Sequence, residues 1–156
     1  MGRKSIYYNP RGLASKRCVA NKCGLKKAIG LPREKYMHIC LVFYGNALIA
    51  QVVNDSFAHA EMHGLTKLIF HLEKKGISSK RHMRKRATMI VYRYNPKTGR
   101  ATNSEPCNQC CKTINKYSHL FDRIIWSTQD EHFISSSPIL HNEHITRGNR
   151  RILGIY

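Results

Sequence analysis

Residues 56–70 read SFAHAEMHGLTKLIF, and what this stretch forms decides the fold. Met62, Leu65, Leu68 and Ile69 recur at three- and four-residue intervals, and Leu72 continues the stripe. That spacing predicts an amphipathic helix from Ala58 to about Lys75. Its first turn carries His59 and Glu61. Residues two apart on an ideal helix differ by about 200° in azimuth, so these side chains cannot share a flank. They converge only beyond the N-terminal end of the helix, which points to something lying there.

Upstream, YMHICLVFYG (36–45) and NALIAQVVN (46–54) are rich in aliphatic and aromatic residues and meet at Gly45-Asn46, which predicts two antiparallel strands. Downstream come the basic run KKGISSKRHMRKR (74–86), a third strand ATMIVYRY (87–94) and the turn NPKTG (95–99). A helix from Cys107 to about Tyr117 and a fourth strand DRIIWST (122–128) follow. A further helix is expected from about Leu13 to Ile29, and the tail from Gln129 to Tyr156 has no readable period. Two strands, helix, strand, helix, strand predicts a three-layer α/β domain around one mixed sheet.

The chain of 156 residues is expected to form a single domain, 1–156, with its core at about 36–130, a basic N-terminal extension and a C-terminal tail. Its 27 Lys and Arg against 9 Asp and Glu give a formal charge of +18, a field that attracts polyanions such as nucleic acid. No apolar run reaches the ~18 residues needed to span a bilayer. MGRKSIYYNPRG lacks the apolar centre of a secretory signal, which predicts an intracellular protein of cytoplasm or nucleus without a membrane partner. In a reducing compartment the six cysteines suit metal binding or catalysis better than disulfides.

The second helix opens with NSEPCNQCCKTI (103–114). Pro106 suits a helix start, and Cys107 and Cys110, three apart, project to one face. A helix N-terminus lowers thiolate pKa and prepares both sulfurs for a metal. One His and two Cys provide three ligands and leave the fourth position open, the coordination of a catalytic rather than a structural zinc. Zinc so held lowers the pKa of bound water toward ~7. Glu61, close to the metal but not on it, could move that proton to a leaving nitrogen.

His59-Ala60-Glu61 together with Pro106-Cys107-Asn108-Gln109-Cys110 resembles the H-x-E…P-C-x-x-C signature of the zinc-dependent cytidine and deoxycytidylate deaminase superfamily. The resemblance covers roughly residues 36–130. It implies zinc on His59, Cys107 and Cys110, with Glu61 as proton shuttle. It also implies a sheet of about five strands between helices, the two signature helices side by side under the metal. Free cytidine deaminases typically use Cys where this chain has His59, so the likeness is closer to the deoxycytidylate and polynucleotide branches.

The charge favours cytosine in single-stranded DNA or RNA as substrate over free dCMP. A tRNA adenosine deaminase shares the motif, but Cys111-Lys112 stands where small residues are usual. An inactive zinc-containing nucleic-acid-binding module would not need Glu61. Candidate substrate contacts are Asn54, for a sugar hydroxyl, with Ala60, Arg93, Lys97, Arg100 and Ser104. Trp126, His132 and Phe133 are candidates for stacking on bases. His63 is expected at the surface or in packing, and Cys111 in the core. Cys18, Cys23, Cys40 and His38 form a weaker candidate for a second zinc site. Oligomers are compatible with the sequence.

Overall fold

A computed structural model describes residues 37–55, 57–77, 85–95, 97–98, 101–129, 133–140 and 142–143. The helix expected over 13–29, Cys18 and Cys23, residues 78–84 of the basic run, Arg100 and His132 lie outside them. The described elements are β1 (Met37–Tyr44), β2 (Ala47–Val53), α1 (Ala60–Lys74), β3 (Ala87–Tyr94), β4 (Ala101–Thr102), α2 (Asn108–Lys116), a short 3-10 turn (Ser118–Leu120), β5 (Phe121–Ser127) and β6 (Phe133–Ser136).

The strands form one mixed sheet in the order β2-β1-β3-β5-β6, with the short β4 paired to β3. β3 and β5 run parallel and every other pair runs antiparallel. β1 and β2 turn tightly at Gly45, whose φ of 61° a side chain would strain. Since β2 and β3 both oppose β1, they are parallel to each other. α1 therefore links two parallel strands across β1, and α2 links the parallel pair β3 and β5. Both helices begin beyond the carboxyl ends of strands, where open α/β sheets bind their ligands.

Alternation along the strands divides the interior. Cys40, Val42, Met89, Val91, Ile124 and Trp126 face α1 and α2 in one buried cluster, with Leu65, Leu68, Leu72, Cys110, Cys111 and Ile114. Ile39, Leu41, Phe43, Ile90, Tyr92 and Ile125 are buried on the opposite face. A sheet apolar on both faces is the pattern of an α/β sandwich. The two described helices cover one face. The strand and helix order matches the sequence reading, and the sheet gains β4 and β6, which that reading did not contain.

Candidate functional site

α1 starts two residues later than the apolar period predicts, and the cause is local. The carboxylate of Asp55 accepts hydrogen bonds from the backbone N–H of Phe57 and of Ala58, both at 2.8 Å, and Asp55 N–H donates to the carbonyl of Ala58 at 3.1 Å. This closed turn directs the Ala58 carbonyl back to Asp55, while the Met62 N–H bonds the His59 carbonyl, so the helix begins after Ala58. His59 is left as the N-cap, extended at φ −71° and ψ 156°, its carbonyl accepting the first helical bonds from Met62 and His63. His59 thus escapes the helical azimuth and can face the same point as Glu61.

Cys107 occupies the equivalent place on α2. It too is an extended N-cap, φ −70° and ψ 171°, whose carbonyl accepts the Cys111 N–H at 2.8 Å. Neither cap side chain is spent on capping its own helix. They face each other: His59 Nδ1 lies 3.5 Å from Cys107 Sγ and 3.2 Å from Cys110 Sγ. The ligand atoms of His59, Cys107 and Cys110 all fall within 4.8 Å of one another, a group able to hold a metal ion. A soft donor set of two sulfurs and one imidazole, gathered at two helix N-termini, suits a thiophilic divalent cation.

The protonation pattern suits such an ion. The Cys107 thiol is pushed down to about 4, chiefly by a hydrogen bond from Cys110 and further by His59. Cys110 is pushed up as the partner that keeps the shared proton. His59 is raised, first by its hydrogen bond to Cys107. Burial lifts the Glu61 carboxyl from 4.5 to about 7. Its side chain is 1% exposed, and Oε2 has no hydrogen-bond partner among the described residues. A buried orphan acceptor beside two thiols and an imidazole is what a cation or an N–H donor would satisfy.

The turn into α2 is fastened from two sides. Ser104 is buried and its hydroxyl donates to the carbonyl of Val91 on β3 at 2.8 Å. The N–H of Ser127 on β5 donates back to Ser104 Oγ at 2.9 Å. On the other side, the chain after β6 returns as a strap along α2. Asn108 Nδ2 donates to the Asn142 carbonyl at 2.9 Å, and Asn142 Nδ2 donates to the Pro106 carbonyl at 2.8 Å. Asn115 exchanges two bonds with the Leu140 backbone, at 2.7 and 2.8 Å. Leu140 itself is buried in the core. Asn108 and Asn115 are seven apart, two turns along one helix face, the one sequence signal for the strap.

Several expected substrate contacts have other places. Trp126 is 3% exposed and belongs to the core beneath the helices, so its ring is not offered to a base. Phe133 packs on Tyr92, ring centroids 5.5 Å apart, on the opposite face of the sheet. Ala60 is fully buried, and Ser104 serves the network just described. Asn54 Oδ1 accepts the His38 N–H at 3.0 Å, fixing the ends of β1 and β2. His63 pairs with Asp55 at 2.8 Å on the surface, and Cys111 is buried with its thiol near the Pro106 carbonyl.

Two residues not singled out for this site do border it. His38 stands in register with Arg93 across β1 and β3, on the α1 side of the sheet. Burial first, then the charges of Arg93 and His59, bring its pKa down to about 4, so the ring is neutral at pH 7. Cys40 lies fully buried under α1, its pKa raised by burial and then by Glu61. His38 and Cys40 are therefore neighbours of the site; Cys18 and Cys23 lie outside the described residues.

No family model matches the chain, and no curated protein or solved structure matches it significantly. Among the described residues no helix is long and apolar enough to cross a membrane.

Proposed function

We propose that the chain is a zinc-dependent hydrolytic deaminase that converts cytosine to uracil in single-stranded nucleic acid. The observation that carries this reading is one juxtaposition. His59, Cys107 and Cys110 gather within 4.8 Å, and the Glu61 carboxyl is buried at the same helix start with its pKa near neutrality. Three ligands leave a tetrahedral ion one open position, the hallmark of a catalytic centre. Zinc held by those ligands would supply Lewis acidity and lower the pKa of water toward about 7.

The chain's own residues account for the proton transfers. Glu61 takes a proton from the water that attacks C4 of the base and passes it to N3, then takes the second proton from the resulting C4 hydroxyl and delivers it to the exocyclic nitrogen as the C–N bond breaks. Ammonia leaves, and the water oxygen remains as the C4 carbonyl of uracil. Burial favours the protonated carboxyl and a neighbouring cation favours the carboxylate, so Glu61 has support in both the states that the exchange uses. Burial of Glu61 also keeps bulk water from short-circuiting that exchange.

The net charge of +18 supports a polyanionic substrate. Free dCMP is the second reading, favoured by one feature. Arg93 stands in register with His38 on the site side of the sheet and bears electrostatically on it, and a single guanidinium suits a single phosphate. Incubation of the pure protein with dCMP, single-stranded DNA and RNA, followed by uracil measurement, separates the two. For a polynucleotide, log affinity falls with log salt at about −0.7 per phosphate contacted, so a slope of about −3 or steeper is expected. Uracil from dCMP alone, with weak salt-independent binding of single strands, would reverse the order. No uracil from any substrate by a zinc-loaded protein would reject the deaminase reading.

A further inference from the structure

Trp126 is buried and Phe133 lies partly buried on the opposite face of the sheet, yet among the described residues one aromatic ring near the site is exposed. Phe57 is 94% exposed. It lies two residues before His59, so its Cα is at most about 7 Å from that of the histidine, a span of about two stacked nucleotides at 3.4 Å each. Isolated apolar side chains on a surface are ordinary. What sets Phe57 apart is how its backbone is held.

The turn that carries it is closed by the Asp55 carboxylate, which accepts the Phe57 and Ala58 amides at 2.8 Å each. The second carboxylate oxygen is fixed by His63 on α1 at 2.8 Å, and Asp55 N–H donates to the Ala58 carbonyl at 3.1 Å. Three hydrogen bonds thus hold the backbone beside an exposed phenyl group at the edge of the candidate site, and the His63 contact fixes the carboxylate that accepts two of them. An aromatic face presented on a fixed backbone loses little freedom on binding, which is how proteins stack the bases of single strands.

We infer that Phe57 is the stacking platform for the base next to the target base, an assignment that rests on the polynucleotide reading above. It makes the substrate class a single strand with at least one flanking nucleotide, and gives free dCMP no use for this ring. Stacking is sequence-tolerant, because every base has a π face. Phe57 contacts no phosphate in this role, so it contributes affinity without contributing to the salt dependence.

The test is binding of a short oligothymidylate, which has no cytosine and reads binding without turnover. Phe57→Ala is expected to weaken it by about fivefold to a hundredfold with an unchanged salt slope, metal content and circular dichroism. Phe57→Trp should retain the affinity and report directly. The chain's one native tryptophan, Trp126, is buried, so an exposed indole at 57 gives a distinct emission that a stacked base quenches. Unchanged affinity in Phe57→Ala together with unquenched Phe57→Trp emission at saturation would overturn the platform, even where DNA is still deaminated. Equal loss of dCMP and DNA deamination in Phe57→Ala would overturn it too, since a flanking-base contact cannot affect a substrate without a flanking base. Lost binding and quenched emission in a protein that deaminates nothing would support the platform while the deaminase reading fails.

Discussion

Gly64 is where α1 rests on the sheet, and replacing it should disturb the site one turn away. A Cβ at this position would lie 2.6 Å from Cys40 Sγ and 3.1 Å from Val42 Cγ2. Non-bonded heavy atoms prefer about 3.5–4.0 Å, so Gly64→Ala requires α1 to withdraw by about 1 Å. Overpacking of that kind costs about 1–3 kcal/mol. Alanine returns about 1 kcal/mol of helix propensity. The expected net loss is therefore about 0–2 kcal/mol, read by chemical denaturation. The functional loss should be larger than the stability loss suggests. Glu61 is three residues ahead of Gly64 on the same helix, and a displacement of about 1 Å at a reacting group can reduce a rate by about a hundredfold. Cys40→Ala removes the nearer obstacle, so the double variant should recover much of both losses, a positive coupling between the two positions. A Gly64→Ala protein more stable than the parent, with undiminished metal affinity, would refute the close-packing argument. So would a Cys40→Ala substitution that fails to rescue it.

Cys107→Ala or Cys110→Ala should bind substantially less metal than the parent, in which elemental analysis is expected to find about one zinc per chain, and should unfold more easily, because binding energy at such sites is folding energy. Glu61→Gln should keep the metal but lose at least ~100-fold in deamination. In the metal-free protein the same variant should also flatten the pH dependence of stability. With Glu61 raised from 4.5 to about 7, the folded state holds a proton that the unfolded state releases, so stability falls by about 3 kcal/mol as pH rises across that window. Denaturation of chelated parent and variant at pH 5 and pH 8 checks this. Asn115→Ala removes both bonds to the Leu140 backbone and should cost about 1–3 kcal/mol of stability, measured by denaturation.

The elements that carry a strong period were legible in the sequence. The apolar stripe of α1, the run of β1 into β2 and the strands β3 and β5 fall within one or two residues of where pattern places them. His59, Cys107 and Cys110 were legible as a group because ligand types at helix starts are a chemical signal independent of packing. Burial face was not. In β5 every residue from Ile124 to Ser127 is buried, so no alternation tells which side chain turns toward the helices. One step of register decides that Trp126 joins the core and a neighbouring strand sends Phe133 to the far side. β6 has four residues, two of them serine, and the strap after it is held by side-chain bonds to backbone, which leave no period at all. The late start of α1 goes with the Asp55 turn, whose N–H holds the Ala58 carbonyl back from the helix.

Glu61 is the residue at which fold and function pull apart. A carboxyl almost fully buried, with one oxygen unpartnered among the described residues, is a local cost that an apolar side chain of similar size would avoid. Such a conflict between packing and chemistry is expected at a working site and hard to explain elsewhere. The surroundings make the cost conditional. His59 lowers the Glu61 pKa, the Cys107 thiolate raises it, and both of these groups would be engaged by a bound cation. With the thiolate charge neutralised by a metal, burial alone would oppose ionisation, and the cation would favour it. On the proposed reading, binding of a cation would therefore favour the ionised form of Glu61, the form able to accept a proton.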